Sequence, residues 1–325
     1  MAGWLAKAQN FGPYATAVWI DQTDGYAGFY NTSYQSPNGF LSNDEHAINQ
    51  DLSKTFQGRN FGTNNAKTGR LNLRGLEIKT YKQNNGNNCG GEVNYAIYPT
   101  GQRPVNPNFS FREAKWFQDC NTSESRFPDS PGHGPCNNDG YQKWQGLTFH
   151  GNNNNKVDNV DLTDRNEGSY TLEIYYRVWG SNTDTSGCDT NDFDNRGGSN
   201  YTATFTLCPT ISSGVGVDPT TCGGTGSIVL TVQGIDDGIY NDRFFYDTNS
   251  VFSGVVVSTS AGVTTATIPN LPGSQTGITY NNVRYNNPNF DGCSDIVAGN
   301  FTLTEPNIPS APVSGGNQTV CESSP

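Results

Sequence analysis

The phrase FTL occurs twice, beginning at Phe205 and again at Phe301, 96 positions apart, and each copy is followed by a Pro/Ser/Gly connector and a Thr-rich approach to a cysteine. Those cysteines, Cys222 and Cys321, are 99 positions apart. A period of about one hundred residues is the length of one β-sandwich module. The repeat therefore divides the chain into an expected leader at 1–8, a first domain at 9–208, a second at 209–306 and the opening of a further repeat at 307–325. Read this way, the chain is expected to be a piece of a longer tandem array.

Hydrophobic periodicity agrees. In EVNYAIY (92–98), Val93, Tyr95 and Ile97 share a face. In YTLEIYYRVW (170–179), Leu172, Ile174, Tyr176 and Val178 point one way, and Thr171, Glu173, Tyr175 and Arg177 the other. YTATFTL (201–207) alternates in the same fashion, and further strands are expected at 71–80, 109–117 and 144–149. About six more are expected between 226 and 303. No segment sustains a 3.6-residue period; only 42–52 has helix-like text. The expected fold is all-β: an elaborated jelly-roll or Ig-like sandwich, then an Ig-like or fibronectin-like one. The spacing of Asn166, Gly168, Tyr170 and Leu172 matches the tyrosine-corner text of such sandwiches.

The 17 Phe, 16 Tyr and 5 Trp supply a core and argue against disorder. A net charge of −11 without a Lys/Arg cluster argues against nucleic-acid binding. No apolar run is long enough to span a membrane. Ala6-Lys7-Ala8 before Gln9 has the small-x-small form of a secretory cleavage site. The eight cysteines contain no CxxC, and the three histidines have no ligand spacing, so disulfides in an oxidising compartment are expected. Cys222 and Cys293 bracket the second domain and are expected to pair. Cys120 and Cys136 are expected to close the 119–140 loop. The pairing among Cys89, Cys188 and Cys208 stays open, and Cys321 is expected to need a partner in the next repeat.

Two kinds of site are candidates. Asp189, Asp192, Asp194 and Asn195 place alternating oxygens before a Gly pair, a pattern that suits calcium; Asp158, Asp161 and Asp164 are a weaker version. Tyr26, Phe29, Tyr30, Tyr34 and Trp144 lie in polar surroundings and offer rings for stacking on sugars. Tyr175 and Arg177 share an outward strand face and suit a binding surface. Neither a G-x-S-x-G phrase nor a histidine in a nucleophile–base arrangement occurs, so no enzyme and no catalytic residue is expected.

The succession RGLEIKTYKQNNGNNCGGEVNYAIYPTG, YQKWQGL, GSYTLEIYYRV and GGSNYTATFTL resembles a β domain near the start of many secreted surface proteins of Bacteroidota. DPTTCGGTGSIVLTV, ATIPNLPG, TYNNVRY, DGCSD and FTLTEP resemble the tandem Ig-like repeats of large adhesins in the same phylum, such as the SprB-type gliding adhesins exported by the type IX secretion system. Together these stretches cover most of 68–321. Against that resemblance, the cysteine-bearing loop at 119–140 is extra and the acidic loop at 183–200 is longer than expected. The resemblance implies an extracellular, outer-membrane-associated adhesin. Its partners would be a surface polysaccharide or other extracellular ligand, the secretion and gliding machinery, and further repeats of the same chain. The alternatives are the non-catalytic carbohydrate-binding region of a secreted polysaccharide-degrading enzyme, or a structural filament subunit.

Overall fold

A computed structural model describes residues 10–22, 26–31, 52, 56–119, 142–146, 160–183 and 187–307. The chain divides into two compact units, the first comprising 1–64, 68–164 and 169–206, and the second 65–67, 165–168 and 207–325.

The first unit contains β1 (Phe11–Gln22), β2 (Tyr26–Asn31), β3 (Arg59–Asn65), β4 (Leu71–Lys82), β5 (Asn87–Pro99), β6 (Ser110–Asp119), β7 (Gln142–Gly146), β8 (Val160–Asp161), β9 (Gly168–Ser181), β10 (Thr190–Asp194) and β11 (Tyr201–Cys208). They form one continuous sheet in the order β2-β1-β4-β7-β6-β5-β9-β11-β3, with β8 on β4 and β10 on β9. The sheet folds back on itself, so two layers face each other across a core.

Glycines set how closely those layers approach. A side chain on Gly91 of β5 would strike Ile78 of β4, and one on Gly180 of β9 would strike Phe11 of β1. Leu172, Ile174, Tyr176 and Val178 of β9 are all fully buried, as their alternation predicts. Each contributes about 1.5–3 kcal/mol by leaving water. The Tyr176 hydroxyl donates to the Ala17 carbonyl across the core at 2.7 Å.

β5 departs from simple alternation, because Ala96 and Tyr98 are buried as well as Val93 and Tyr95. The cause is Glu173, whose carboxylate is completely enclosed. It accepts from Tyr98 Oη at 2.6 Å, Arg103 Nε and Nη2 at 2.8 Å each, and Asn200 Nδ2 at 2.7 Å. Burial works to raise this carboxyl, but the bonds from Arg103, Tyr98 and Asn200 outweigh it and hold its pKa below the usual range. The segment after β5 is thereby fastened over one end of the sheet's outer face.

The second unit contains β12 (Thr210–Val217), β13 (Thr225–Gln233), β14 (Gly238–Tyr240), β15 (Phe244–Tyr246), β16 (Ser250–Val251), β17 (Val255–Ser260), β18 (Val263–Pro272), β19 (Ile278–Tyr285) and β20 (Ile296–Leu303). One sheet runs β12-β13-β18-β17-β14 and the other β16-β15-β19-β20. Ile228, Leu230, Val232, Val257 and Ile268 of the first pack with Phe244, Tyr280, Val283, Tyr285 and Leu303 of the second. Four strands of the first sheet stand in the A-B-E-D order and the second in the C′-C-F-G order of an immunoglobulin-like sandwich. The tyrosine-corner bond is made here by Tyr280, whose hydroxyl donates to the Pro272 carbonyl at 3.0 Å. Tyr170, where the sequence text pointed, stacks on Phe205 with centroids 5.6 Å apart.

The disulfides correct one expected pairing. Cys293 is bonded to Cys208, 85 positions away, and not to Cys222; Cys222 is disulfide-bonded too. Cys89 is bonded to Cys188, 99 positions away. Bracketing in sequence misled because Cys222 follows the first strand of the sandwich, whereas Cys208 precedes it. Cys120, Cys136 and Cys321 lie outside the described residues, as does the 42–52 helix-like text apart from buried Leu52.

A candidate ligand-binding face on the first unit

The part of the outer face that the 100–109 segment leaves uncovered is formed by β6, β5, β9 and β10. Antiparallel register aligns Glu113, Glu92, Arg177 and Phe193 in one row across these four strands, and Phe111, Asn94 and Tyr175 in the next. Residues directly opposite on one sheet face are in contact range, so each row is a continuous strip of side chains.

Glu92 is the anchor of this face. Only 3% exposed, it accepts from Asn94 Nδ2 at 2.9 Å and pairs with Arg177 Nε at 2.9 Å. A buried carboxylate with two partners fixes both of them. Arg177 keeps 40% of its side chain exposed, and its terminal nitrogens make no hydrogen bond to any described residue. Its guanidinium carbon lies 5.5 Å from the Trp179 ring centroid.

The Trp179 indole lies across Gly90, where an added Cβ would fall 2.2 Å from its six-membered ring. Absence of a side chain at that position is what lets the ring lie along the sheet. Tyr175 touches Phe109 edge-on at 5.0 Å and Phe193 at 6.2 Å. Burial, reinforced by the Glu92 charge, raises its hydroxyl pKa. Phe111 and Phe193 remain 52% and 45% exposed. Phe193 adjoins Tyr175 and Tyr175 adjoins Phe109, so the rings form a run and not isolated positions, the arrangement that marks an interaction surface.

Most of the acidic motif at 189–195 is strand and not loop. Residues 190–194 form β10, which turns Asp192 and Asp194 toward β1 and Phe193 outward. Asp194 accepts from the hydroxyls of Thr16 and Tyr201. Asn195 caps a 3-10 turn by accepting from Gly198 N, and Asp192 accepts from Phe193 N at 2.9 Å. Among the described residues no three acidic, histidine or cysteine side chains converge as metal ligands, so the calcium expectation for Asp189, Asp192, Asp194 and Asn195 is not met by this geometry. Burial, with the Asp194 charge adding to it, raises the Asp192 carboxyl pKa above its ordinary value. Asp192 and Asp194 border a cleft of about 310 Å³ walled by Tyr14, Tyr81, Phe193 and Tyr201.

Asp161 accepts from the amide and hydroxyl of Thr163, a turn role, while Asp158 lies outside the described residues. Trp144 is a core residue, 8% exposed, with its indole N–H donating to Thr80 Oγ1 at 3.2 Å. It is therefore removed from the stacking candidates. Tyr26, Phe29 and Tyr30 fall on β2, a strand at the end of the sheet, with side chains outside what is described, and Tyr34 lies outside the described residues. Of the sequence candidates, Tyr175 and Arg177 belong to the assembled face. Trp179, Glu92, Phe111 and Phe193 were missed. Trp179 had a signal, as a third outward aromatic or charged residue on the strand of Tyr175 and Arg177, whereas Glu92, Phe111 and Phe193 come in from β5, β6 and β10 through register alone.

In the second unit a cavity of about 650 Å³ is lined by threonines, Gln233, Asp236 and Asp237. Its acids are engaged, Asp236 by Asn166 and Asp237 by Thr259.

No protein-family model matches this chain, and no curated protein matches it. Among solved structures, a chimeric titin Z1Z2 functionalized with a KLER exogenous peptide from decorin aligns over 78% of this chain and 94% of its own, at 12% identity and a TM-score of 0.21. The two described disulfides fit an oxidising environment, and among the described residues no helix is long and apolar enough to cross a membrane.

Proposed function

We propose that this chain is part of an extracellular, cell-surface adhesin. The first unit makes contact with ligand, and the immunoglobulin-like unit is a disulfide-pinned spacer of a repeating stalk. The observation that carries the reading is the pair of long-range disulfides, Cys89–Cys188 and Cys208–Cys293, in an all-β chain. Such bridges persist outside the reducing cytosol, and each closes a loop long enough to remove several kcal/mol of unfolded-chain entropy, about 4–5 by loop length. The resemblance to type IX-exported gliding adhesins adds the route of export and a role in surface attachment or gliding, with no catalytic step. Repetition of the stalk would let many weak contacts act together.

Protease treatment of intact cells of the producing organism, followed by non-reducing peptide mapping, tests this. Release of surface peptides joined through Cys89–Cys188 and Cys208–Cys293 is expected. Peptides protected until lysis, with both cysteine pairs reduced, would contradict surface display.

A further inference from the structure

We infer that the outer face of β6, β5, β9 and β10 is a binding platform for a neutral glycan chain, centred on Trp179 and Arg177. This inference rests on the reading of the first unit as the contact domain and gives its ligand class. Four features carry it. The first is the seating of the Trp179 indole on Gly90, which lays a ring along the sheet. A pyranose stacks on such a ring through its C–H face, gaining apolar contact without losing its hydroxyls to the protein interior.

The second is polar groups open on the same face, Arg177 beside that ring and Tyr175 one row beyond Arg177. The terminal nitrogens of Arg177 and the hydroxyl of Tyr175 have no hydrogen-bond partner among the described residues, yet neither side chain is loose. Arg177 is held by Glu92, which is itself buried and bonded to Asn94, and Tyr175 is wedged between Phe109 and Phe193. Donors fixed before the ligand arrives lower the entropy cost of binding.

The third is extent. From Phe111 on β6 to Phe193 on β10 the platform crosses three inter-strand spacings, roughly 14 Å, the reach of about three linked sugar rings. Partly exposed rings at both ends suit an extended chain better than a single small molecule.

The fourth is charge. The guanidinium of Arg177 is already balanced by Glu92, and Glu113 stands directly opposite Glu92. Exposed Lys115, two residues beyond Glu113 on β6, lies on the same face, so two carboxylates are matched by two cations and an acidic polymer finds no net positive charge there, on a chain of net charge −11. A neutral chain meets matched donors and acceptors instead, and its binding is insensitive to salt.

The test is affinity electrophoresis of the whole chain in native gels holding a neutral polysaccharide (laminarin, xyloglucan, starch or agarose) or an acidic one (polygalacturonate or alginate). The proposal expects retardation by at least one neutral polymer, unchanged in 0.5 M NaCl, and weakened at least tenfold by Trp179→Ala and by Arg177→Gln. Because Trp179→Ala removes packing as well as a platform, the double variant Phe111→Ala/Phe193→Ala, at two exposed positions, serves as the second probe and is expected to weaken binding comparably. Val256→Ala, on the second unit, is expected to leave it unchanged. No retardation by any neutral polymer, stronger retardation by an acidic one that salt abolishes, or full retention by both the Trp179→Ala and double variants would each overturn the proposal. Surface display in cells without glycan binding would sink this inference and leave the display reading intact. Glycan binding by a chain that is not displayed would do the reverse.

Discussion

The two units each expose a sheet face, and the two faces are furnished differently. In the second unit, Val215, Val229, Thr267, Val256 and Ile239 line up across all five strands of one sheet. Val215, Val256 and Ile239 are among the exposed members of that row. These are the β-branched side chains that suit a pleated surface, and none brings a ring or a charge. In the first unit the corresponding rows carry Trp179, Tyr175, Phe193 and Phe111 around a buried Glu92 that holds Arg177 and Asn94. The lesson is that a cross-strand row alone is only a way to make a sheet. A row underlain by a buried polar anchor costs desolvation that strand formation does not require, and this points to selection for something the face touches.

The largest expected effects break each unit separately. Replacing Cys208 and Cys293 by serine should destabilise the second unit by about 2–4 kcal/mol, and replacing Cys89 and Cys188 should do the same to the first. Calorimetry should show two transitions, each pair of substitutions lowering a different one. A common shift of both by either pair would contradict the division into units.

Next is Glu173→Ala. Removing the shared acceptor leaves the Tyr98 hydroxyl, the Asn200 amide and Arg103 without it, at a cost of about 2–4 kcal/mol to the first unit, readable by denaturant titration. The sign with pH follows from its lowered pKa. Its contribution is present above the unfolded carboxylate range, near about 4.3, and is lost as pH falls through the lower folded value. Wild-type first-unit stability should therefore drop more steeply than that of Glu173→Gln in strong acid.

Gly90→Ala sharpens the contrast most selectively. The new methyl would displace the Trp179 ring, so glycan retardation should fall severalfold while circular dichroism keeps its β signature. In the second unit, Tyr280→Phe removes the corner bond to Pro272 and should cost about 1 kcal/mol, with binding unaffected. The smallest effect is Asp192→Asn. Its raised pKa means the ionised carboxylate opposes folding, so the variant should melt higher at pH 7, by roughly 1–3 °C. That gain should vanish below the unfolded carboxylate range.

Much of the fold was legible because alternation and the duplicated FTL phrase are local signals. β9, β11, β13 and β18 follow directly from them. β10 was not legible: Asp192, Phe193 and Asp194 read as an acidic loop, and only pairing with β9 makes them a strand. β1 also escaped, since FGPYATAVWIDQ alternates poorly and depends on β4 beside it. The site was less visible still. Tyr175 and Arg177 stood out as outward residues, but Glu92, Phe111 and Phe193 join them only through register between strands distant in sequence. Trp144 failed as a candidate for the converse reason, because its polar neighbours in sequence are not its neighbours in space.

The most direct measurement is hydrogen–deuterium exchange of the whole chain with and without a saturating neutral oligosaccharide derived from the retarding polymer. The account predicts protection in β5, β9 and β10 and none in β13, β17 or β18. Protection confined to the second unit, or absent from β9 and β10, would contradict it.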